Sequence, residues 1–189
     1  MKIAGVVLAA GLSTRLGRPK QTVMIDGETL VERAVRTAAE AGLSPVIAVV
    51  LDAALIDSLQ KLGAIVLLNR KTYEGLSSSI AVGVGAAKAQ DADGVALMAC
   101  DQPALTADHL KQLCAEPGSA CGSGYAGKVG IPAYFPASSF DSLLQLKGDT
   151  GARDLLRGAR SVIAEELSFD IDTEADIAHL LNKTKCVPL

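Results

Sequence analysis

Residues 8–20 read Leu-Ala-Ala-Gly-Leu-Ser-Thr-Arg-Leu-Gly-Arg-Pro-Lys, directly after the apolar run Ile3-Ala4-Gly5-Val6-Val7. The pattern predicts a buried strand that opens into a loop of small residues carrying Arg15 and Lys20. Such a loop presents backbone N–H groups to an anion, and its cationic side chains offset the anion's charge. The stretch therefore predicts a nucleoside triphosphate site at the end of the first strand. The alternative is a basic surface loop that caps an ordinary strand.

The pattern of the first hundred residues alternates between apolar, strand-like runs and helical periodicity. Strands are predicted at residues 6–9, 46–51, 64–68 and 95–100, and helices at about 29–41, 53–62 and 77–88. Continuous apolar strands separated by helices are typical of a parallel sheet covered on both faces. We therefore expect one Rossmann-like domain over residues 1–189, a three-layer α/β/α sandwich with a mostly parallel sheet. Residues 131–135 are a further candidate strand, and 138–146, 151–157 and 173–181 are candidate helices.

Composition excludes several classes of function. The chain has 189 residues, a net charge of −3, 3% aromatic residues and no Trp, so a nucleic-acid partner is not expected. No apolar run approaches the ~20 residues of a membrane span, and the N-terminus carries no secretory leader pattern. The four cysteines share no Cys-x-x-Cys spacing. We expect reduced thiols, no zinc site and a cytoplasmic location.

Three polar segments follow predicted strands, at residues 11–20, 69–79 and 101–103. Ligands of open α/β sheets bind beyond the carboxyl ends of the strands, so these segments are expected to converge. Asp101 ends a buried apolar strand, where a charge is costly unless a partner such as Mg²⁺ compensates it. The alternative is that Asp101 caps the turn begun by Pro103. Asp172 is a candidate second carboxylate for the metal, although Asp172 and Thr173 also suit the N-cap of the last helix.

Two further segments combine a helix start with groups able to bind a ligand. Gly75, Ser77 and Ser78 follow Asn69. The serine hydroxyls either cap the helix, or contact ribose and base, or do both. Asp149 and Arg153 lie in the segment Gly-Asp-Thr-Gly-Ala-Arg, which combines a capped helix start with an arginine. The alternative is that this segment is only a loop with a cap.

The scarcity of histidine bears on the type of reaction. His109 and His179, the two histidines, are predicted to lie in helices, on the surface or in packing contacts. An alcohol nucleophile usually needs a base such as histidine. A phosphate monoester is already mostly dianionic at neutral pH, because its second pKa is about 6. Such an acceptor needs alignment, Mg²⁺ and cationic charge to attack the α-phosphorus of a nucleotide.

Over residues 8–176 the sequence resembles the MobA-like nucleotidyltransferases, and within them the molybdenum cofactor cytidylyltransferase branch. The family pattern Leu-Ala-Ala/Gly-Gly-x-Ser-x-Arg-x-Gly-x-x-Lys is met by Leu8, Ala9, Ala10, Gly11, Ser13, Arg15, Gly17 and Lys20. The metal-binding Asp-Gln-Pro of the family matches residues 101–103, and residues 75–79, 148–153 and 170–173 resemble the branch. One departure is Ile131, which stands where the branch often carries His or Asn and cannot hydrogen-bond a pterin.

The resemblance implies transfer of CMP from CTP to the terminal phosphate of molybdopterin, with release of pyrophosphate. It implies Arg15, Lys20 and Asp101 as catalytic residues, and Asp101 with Asp172 as ligands of Mg²⁺. The implied nucleotide site comprises Leu8, Ala9, Ala10, Gly11, Asn69, Gly75, Ser77 and Ser78. The implied acceptor site comprises Asp149, Arg153 and Pro132. A molybdoenzyme or its chaperone is the expected recipient of the product.

Ala10 bears on the choice of base. Relatives that transfer a guanylyl group tend to carry Leu-Ala-Gly-Gly, and a methyl group at position 10 would narrow the base pocket toward a pyrimidine. Two alternatives to the cytidylyltransferase stay open from the sequence. One is a related nucleotidyltransferase that uses a sugar phosphate or another small phosphate monoester. The other is a non-catalytic carrier of the molybdenum cofactor, which would not need both Lys20 and Asp101.

Overall fold

The computed structural model describes residues 1–149 and 151–185, with the backbone alone at 183–185. The strands in this part of the chain are β1 (Ile3–Ala9), β2 (Met24–Ile25), β3 (Glu28–Thr29), β4 (Val46–Val50), β5 (Ile65–Leu68), β6 (Gly94–Ala99), β7 (Cys121–Tyr125), β8 (Lys128–Pro136) and β9 (Arg160–Ile163). The α-helices are α1 (Leu30–Glu40), α2 (Ile56–Lys61), α3 (Leu76–Ala89), α4 (Ala107–Leu113), α5 (Phe140–Leu144) and α6 (Glu174–Lys185).

Seven of the strands form one sheet in the order β5-β4-β1-β6-β8-β7-β9. Strands β5, β4, β1 and β6 pair in parallel, as the sequence predicts. Strand β8 runs antiparallel to both β6 and β7, and β9 is parallel to β7. The sheet is therefore mostly parallel with one reversed strand, and β2 and β3 form a separate two-stranded hairpin.

The two faces of the sheet carry separate apolar cores, which accounts for the three layers. Val7 and Ala9 of β1 pack in the cluster that also contains residues of α1, α2 and α4. Val6 and Leu8 point the opposite way, into the cluster formed with α3 and α5. This alternation is the period-two pattern of a strand buried on both sides. The expected α/β/α sandwich is confirmed.

Helix α3 lies unusually close to β1 because Gly83 has no side chain. A Cβ atom at Gly83 would overlap the Val6 side chain. The close packing fixes α3 against the strand whose end carries the predicted phosphate loop.

In the second half of the chain, two of the predicted helices were wrong in type or length, and several strands were not predicted. The helix predicted at 151–157 is a 3-10 turn, Arg153–Leu156, and the helix predicted at 138–146 is a 3-10 turn followed by the short α5. Strands β7 and β9 and the β2–β3 hairpin were not anticipated. In β7 a Cβ at Gly122 would lie 2.5 Å from the Val129 side chain, so crowding demands small residues that give no strand signal.

No helix in residues 1–149 and 151–185 has the length and apolar character to cross a membrane.

Candidate active site

A cleft of about 530 Å³ lies beyond the carboxyl ends of β1 and β6. The strand order reverses between these two strands, which is the usual position of a ligand site in an open α/β sheet. The three polar segments expected to converge all contribute to the cleft. Of the residues that the sequence analysis assigned to the site, those lining it are Leu8, Ala9, Ala10, Gly11, Lys20, Gly75, Asp101 and Asp149.

Other residues line the cleft that the sequence analysis did not assign to the site. They include Leu12, Ser13, Thr14, Gln21, Thr72, Tyr73, Leu76, Ser79, Cys100 and Ile131. Most are immediate neighbours of assigned residues, so adjacency in the sequence was the available signal. Seven residues that were assigned to the site lie outside the lining of the cleft: Arg15, Asn69, Ser77, Ser78, Pro132, Arg153 and Asp172.

The loop between β1 and α1 folds back on itself through Ser13. Ser13 has a φ of 51°, its carbonyl accepts hydrogen bonds from the N–H groups of Leu16 and Gly17, and its Oγ accepts one from Lys20 N at 3.0 Å. Gly11 is not among the residues with positive φ, so its backbone angle does not itself require glycine. Instead, nothing lies within 4 Å of the position of a Gly11 Cβ, so the backbone there faces open space.

Four charged side chains beside the cleft are linked by consecutive ion pairs. Lys20 Nζ donates to Asp101 Oδ2 at 2.7 Å and to Asp172 Oδ1 at 2.8 Å. Arg15 pairs with the other oxygen of Asp172 at 2.8 Å. Burial lowers the pKa of Lys20, but the charges and hydrogen bonds of Asp101 and Asp172 outweigh it and raise the pKa overall. Lys20 is therefore a cation at neutral pH, held where two carboxylates converge.

Asp172 reaches this position because its segment is tied to the end of β6. Ile171 N donates to the carbonyl of Asp101 at 2.9 Å, and the Ile171 side chain is fully buried. The segment then enters α6 through a capping pair, in which Thr173 Oγ1 accepts from Asp176 N and Asp176 Oδ2 accepts from Thr173 N. The predicted capping by Thr173 is confirmed.

Asp170 adds a further carboxyl group to this neighbourhood. Loss of water around its carboxyl group, together with the charges of Asp101 and Asp172, raises its pKa to about 6. The charge of Lys20 acts in the opposite direction and lowers this pKa.

The start of α3 is organised by hydrogen bonds within the protein. Asn69 Nδ2 donates to Ser78 Oγ and Ser79 Oγ, at 2.9 and 3.0 Å, and Ser78 Oγ donates to the carbonyl of Gly75. Ser77 Oγ donates to the carbonyl of Glu74. These contacts hold the helix start in place, and the nucleotide-binding role of Asn69, Ser77 and Ser78 stays a prediction.

Gly75 joins this helix start to the loop that carries Asp149. Its φ is 87°, and a Cβ there would lie 2.5 Å from the carbonyl carbon of Gly148. Asp149 Oδ1 accepts from Leu76 N at 3.2 Å, and Ser77 N donates to the carbonyl of Gly148. Glycine is required by both the backbone angle and the close approach.

The other two residues expected at the acceptor site lie farther from the cleft. Pro132 is buried and its carbonyl accepts from Ser123 Oγ, whereas Arg153 is exposed in its 3-10 turn. Their acceptor-binding role stays a prediction.

Both histidines have structural contacts. His109 is 7% exposed on α4, and its Nε2 lies 2.7 Å from Ser123 Oγ. Because Ser123 already donates to Pro132, His109 donates through Nε2–H. His179 of α6 packs against Phe169. Neither histidine lines the cleft.

The sequence model of the MobA-like NTP transferase domain matches residues 5–165. The chain belongs to this family. It is 32% identical over 186 residues to the purine catabolism protein PucB of Bacillus subtilis, with 90% of each chain covered. It is 31% identical over 167 residues to a probable molybdenum cofactor guanylyltransferase of Opitutus terrae, covering 85% of this chain and 75% of that protein. The crystal structure of Rv0371c of Mycobacterium tuberculosis in complex with manganese superposes with a TM-score of 0.76 at 27% identity, covering 96% and 99% of the two chains.

Membership of the MobA-like family makes the chain a nucleotidyltransferase, with a nucleoside triphosphate and an acceptor as substrates. Family members and the manganese complex of Rv0371c are consistent with use of a divalent metal. No group of three or more His, Cys, Asp or Glu side chains suited to a metal occurs in the described part of this MobA-like chain. Asp101 and Asp172 nevertheless fit such an ion, because both direct a carboxylate oxygen at one point, now taken by Lys20 Nζ. One or two carboxylates plus phosphate oxygens is a common ligand set for Mg²⁺.

Proposed function

We propose that this chain transfers CMP from CTP to the terminal phosphate of molybdopterin and releases pyrophosphate, with Mg²⁺ as its metal. The observation that carries the proposal is the position of Lys20. Its Nζ donates hydrogen bonds to both Asp101 and Asp172, next to the loop that follows β1. A half-buried cation beside two carboxylates, at the edge of a cleft, suits a triphosphate and a divalent ion together.

The proposed reaction needs no base from the protein. An oxygen of the acceptor phosphate forms a bond to the α-phosphorus of CTP. The bond from that phosphorus to the bridging oxygen breaks, and pyrophosphate leaves with the bonding electrons. A phosphate dianion is present at neutral pH, since its second pKa is about 6. The absence of both histidines from the lining of the cleft agrees with this nucleophile.

The roles of the charged residues follow from their positions. Lys20 and Arg15 would offset the negative charge of the triphosphate, with Lys20 acting at the α-phosphate. Asp101 and Asp172 would hold the Mg²⁺. When bound, the ion would neutralise phosphate charge and polarise the phosphorus–oxygen bonds.

The choice of substrates rests on finer features. Ala10 lines the cleft and supports a smaller base pocket, and thus CTP. The names of the two relatives differ, one referring to purine catabolism and one to a molybdenum cofactor guanylyltransferase, so molybdopterin and CTP are proposals. Ile131, an apolar residue, also lines the cleft, and the proposed pterin therefore depends on other residues for hydrogen bonds.

The setting of the reaction is also proposed. We propose that residues 1–189 form one domain, and the buried cluster that Leu16, Val23 and Ile25 share with Ile171 and Ile177 supports this. A cytoplasmic location agrees with the free thiols of Cys100, Cys114 and Cys121, while Cys186 lies outside the described residues. The product would pass to a molybdoenzyme or its chaperone.

Pyrophosphate release tests the proposal, measured with Mg²⁺, molybdopterin and each of CTP, GTP, ATP and UTP in turn. We expect CTP to give the highest kcat/KM. Turnover with a sugar phosphate in place of molybdopterin, and none with molybdopterin, would replace the acceptor in this proposal. If no nucleotide releases pyrophosphate in the presence of either acceptor, the proposed reaction is wrong.

A further inference from the structure

One aromatic side chain stands out at the mouth of the cleft. Tyr73 is 77% exposed and lines the cleft. All six aromatic residues of the chain lie in its described part, and the other five are buried or half-buried. An exposed ring at a binding cleft is a surface available for stacking.

Tyr73 stands among apolar neighbours on a fixed support. Leu12 and Leu76, 60% and 37% exposed, line the same cleft. Tyr73 belongs to the 3-10 turn Thr72–Glu74, which ends at Gly75 with a hydrogen bond from Gly75 N to the carbonyl of Thr72. Because Gly75 is locked against Gly148, the turn and its ring are tied to the start of α3.

The charges of the cleft are unevenly distributed. Lys20 is the one cation among the described residues that line the cleft, and it lies beside Asp101. The lining residues of the Tyr73 turn and of the start of α3 are Thr72, Gly75, Leu76 and Ser79, and Asp149 is hydrogen-bonded to Leu76 N; this set includes no cation and one carboxylate. A triphosphate carrying several negative charges belongs at the end with Lys20. The uncharged end of a nucleotide therefore belongs near Tyr73.

The sheet order separates Tyr73 from the side expected to receive the acceptor. Tyr73 follows β5, which lies two strands from β1 on one side. Ile131 belongs to β8, two strands from β1 on the other side, beyond β6, the strand that Asp101 follows. A second substrate that meets the nucleotide near Asp101 would approach from the side of Ile131.

We propose that Tyr73 stacks on the nucleobase and, with Leu12 and Leu76, forms an apolar lip over it. The inference rests on the proposed function and identifies the base-binding end of that site. Stacking on an aromatic ring tolerates every base, since each base has a π-face. Tyr73 therefore contributes affinity for nucleotides in general, and other residues select among bases.

The experiment measures the binding of CTP, GTP and inorganic tripolyphosphate by calorimetry, in the presence of Mg²⁺. The proteins are the unmodified chain, Tyr73→Ala and Tyr73→Phe. Tyr73→Ala is expected to weaken CTP and GTP by about tenfold each, the scale of one lost base–aromatic stack. Tyr73→Phe keeps the ring and should bind both nucleotides as the unmodified protein does. Tripolyphosphate has no base, so its affinity should be the same for all three proteins.

The tripolyphosphate arm also shows that each variant is folded. Unchanged affinity of Tyr73→Ala for CTP and GTP would overturn the stacking role. A selective loss of CTP alone would overturn the base-tolerant contact proposed here. Failure of the proposed function is distinguishable, because it is read from pyrophosphate release by the unmodified protein, whereas the stacking role is read from the change in nucleotide affinity between Tyr73→Ala and Tyr73→Phe.

Discussion

At the scale of single residues, the charges beside the cleft depend on one ammonium group. The side chains of Lys20, Asp101 and Asp172 are 16%, 19% and 25% exposed. Carboxylates with so little solvent need a partner, and Lys20 serves both. The same group is the proposed partner of the triphosphate, so its removal should affect catalysis far more than removal of a surface lysine.

Lys20→Ala is expected to lower kcat by about 10²–10³-fold, the scale for loss of one preorganised charge-stabilising group. Steady-state pyrophosphate release measures the change. Lys111→Ala is the matched control, because Lys111 is an exposed lysine that pairs with Asp108 on α4, away from the cleft. A rate for Lys20→Ala close to that of the control would remove Lys20 from the catalytic residues.

Ala10→Gly should reduce the preference for CTP over GTP. The Ala10 side chain is 2% exposed and packs in the core beneath the cleft, so its removal would deepen the floor of the base pocket. The measurement is the ratio of kcat/KM for the two nucleotides. An unchanged ratio would show that position 10 does not select the base.

The charged residues of the site were identifiable from the sequence, but the contacts between them were not. Lys20 and Asp101 follow predicted strands, and both line the cleft. The pairing of Lys20 with Asp172 joins residues 152 positions apart, and no local pattern reports such a contact. Tyr73 was missed because a lone tyrosine before Glu-Gly gives no sequence signal, and only its exposure at the cleft distinguishes it.

At the scale of elements, the site depends on how closely α3 approaches β1. Gly83 and Gly85 both lie in α3, but their surroundings differ. A Cβ at Gly83 would overlap Val6, whereas nothing lies within 4 Å of a Cβ at Gly85. The β-branched Val6 has little freedom to move aside, so α3 itself would have to shift.

Gly83→Ala should therefore lower the free energy of unfolding by about 1–3 kcal/mol, the usual cost of overpacking. Gly85→Ala is its control on the same helix and should raise stability by about 0.5–1 kcal/mol, because alanine favours the helical backbone. Urea denaturation of both variants gives the comparison. Equal effects of the two substitutions would contradict the close packing of α3 on β1.

Elements with a strong apolar period were predictable from sequence, and those without one were not. The four parallel strands and α1 to α3 were located to within a few residues. Strand β7 reads Cys-Gly-Ser-Gly-Tyr, since neighbouring side chains leave no room at Gly122 and Gly124. Tertiary crowding thus decided those residues, and it is not visible in a local window.

At the scale of the whole molecule, occupation of the cleft should stabilise the fold. A ligand at 100 times its Kd adds about 2.7 kcal/mol, which corresponds to a rise in Tm of roughly 5–10 °C for a chain of this size. We expect CTP with Mg²⁺ to raise Tm more than CTP alone. Differential scanning fluorimetry measures both.

In Asp101→Asn the additional effect of Mg²⁺ should be largely lost, since the uncharged amide is a much weaker ligand for the ion than the carboxylate. Asp108→Asn, at an exposed position of α4, should keep the full shift and serves as the matched control. A Mg²⁺-dependent shift that survives in Asp101→Asn would place the ion elsewhere.

The reversed strand β8 has a consequence for divergence within the family. It joins β7 and β9 to the parallel strands through a single ladder, from Gly94–Pro136 to Leu97–Ala133. Sequence changes in β8, β7 and β9, beyond the β6–β8 ladder, can alter the part of the cleft that borders Ile131 while the β1 loop is preserved. A chimera that takes everything after β6 from a relative would then inherit that relative's second substrate and keep its own nucleotide.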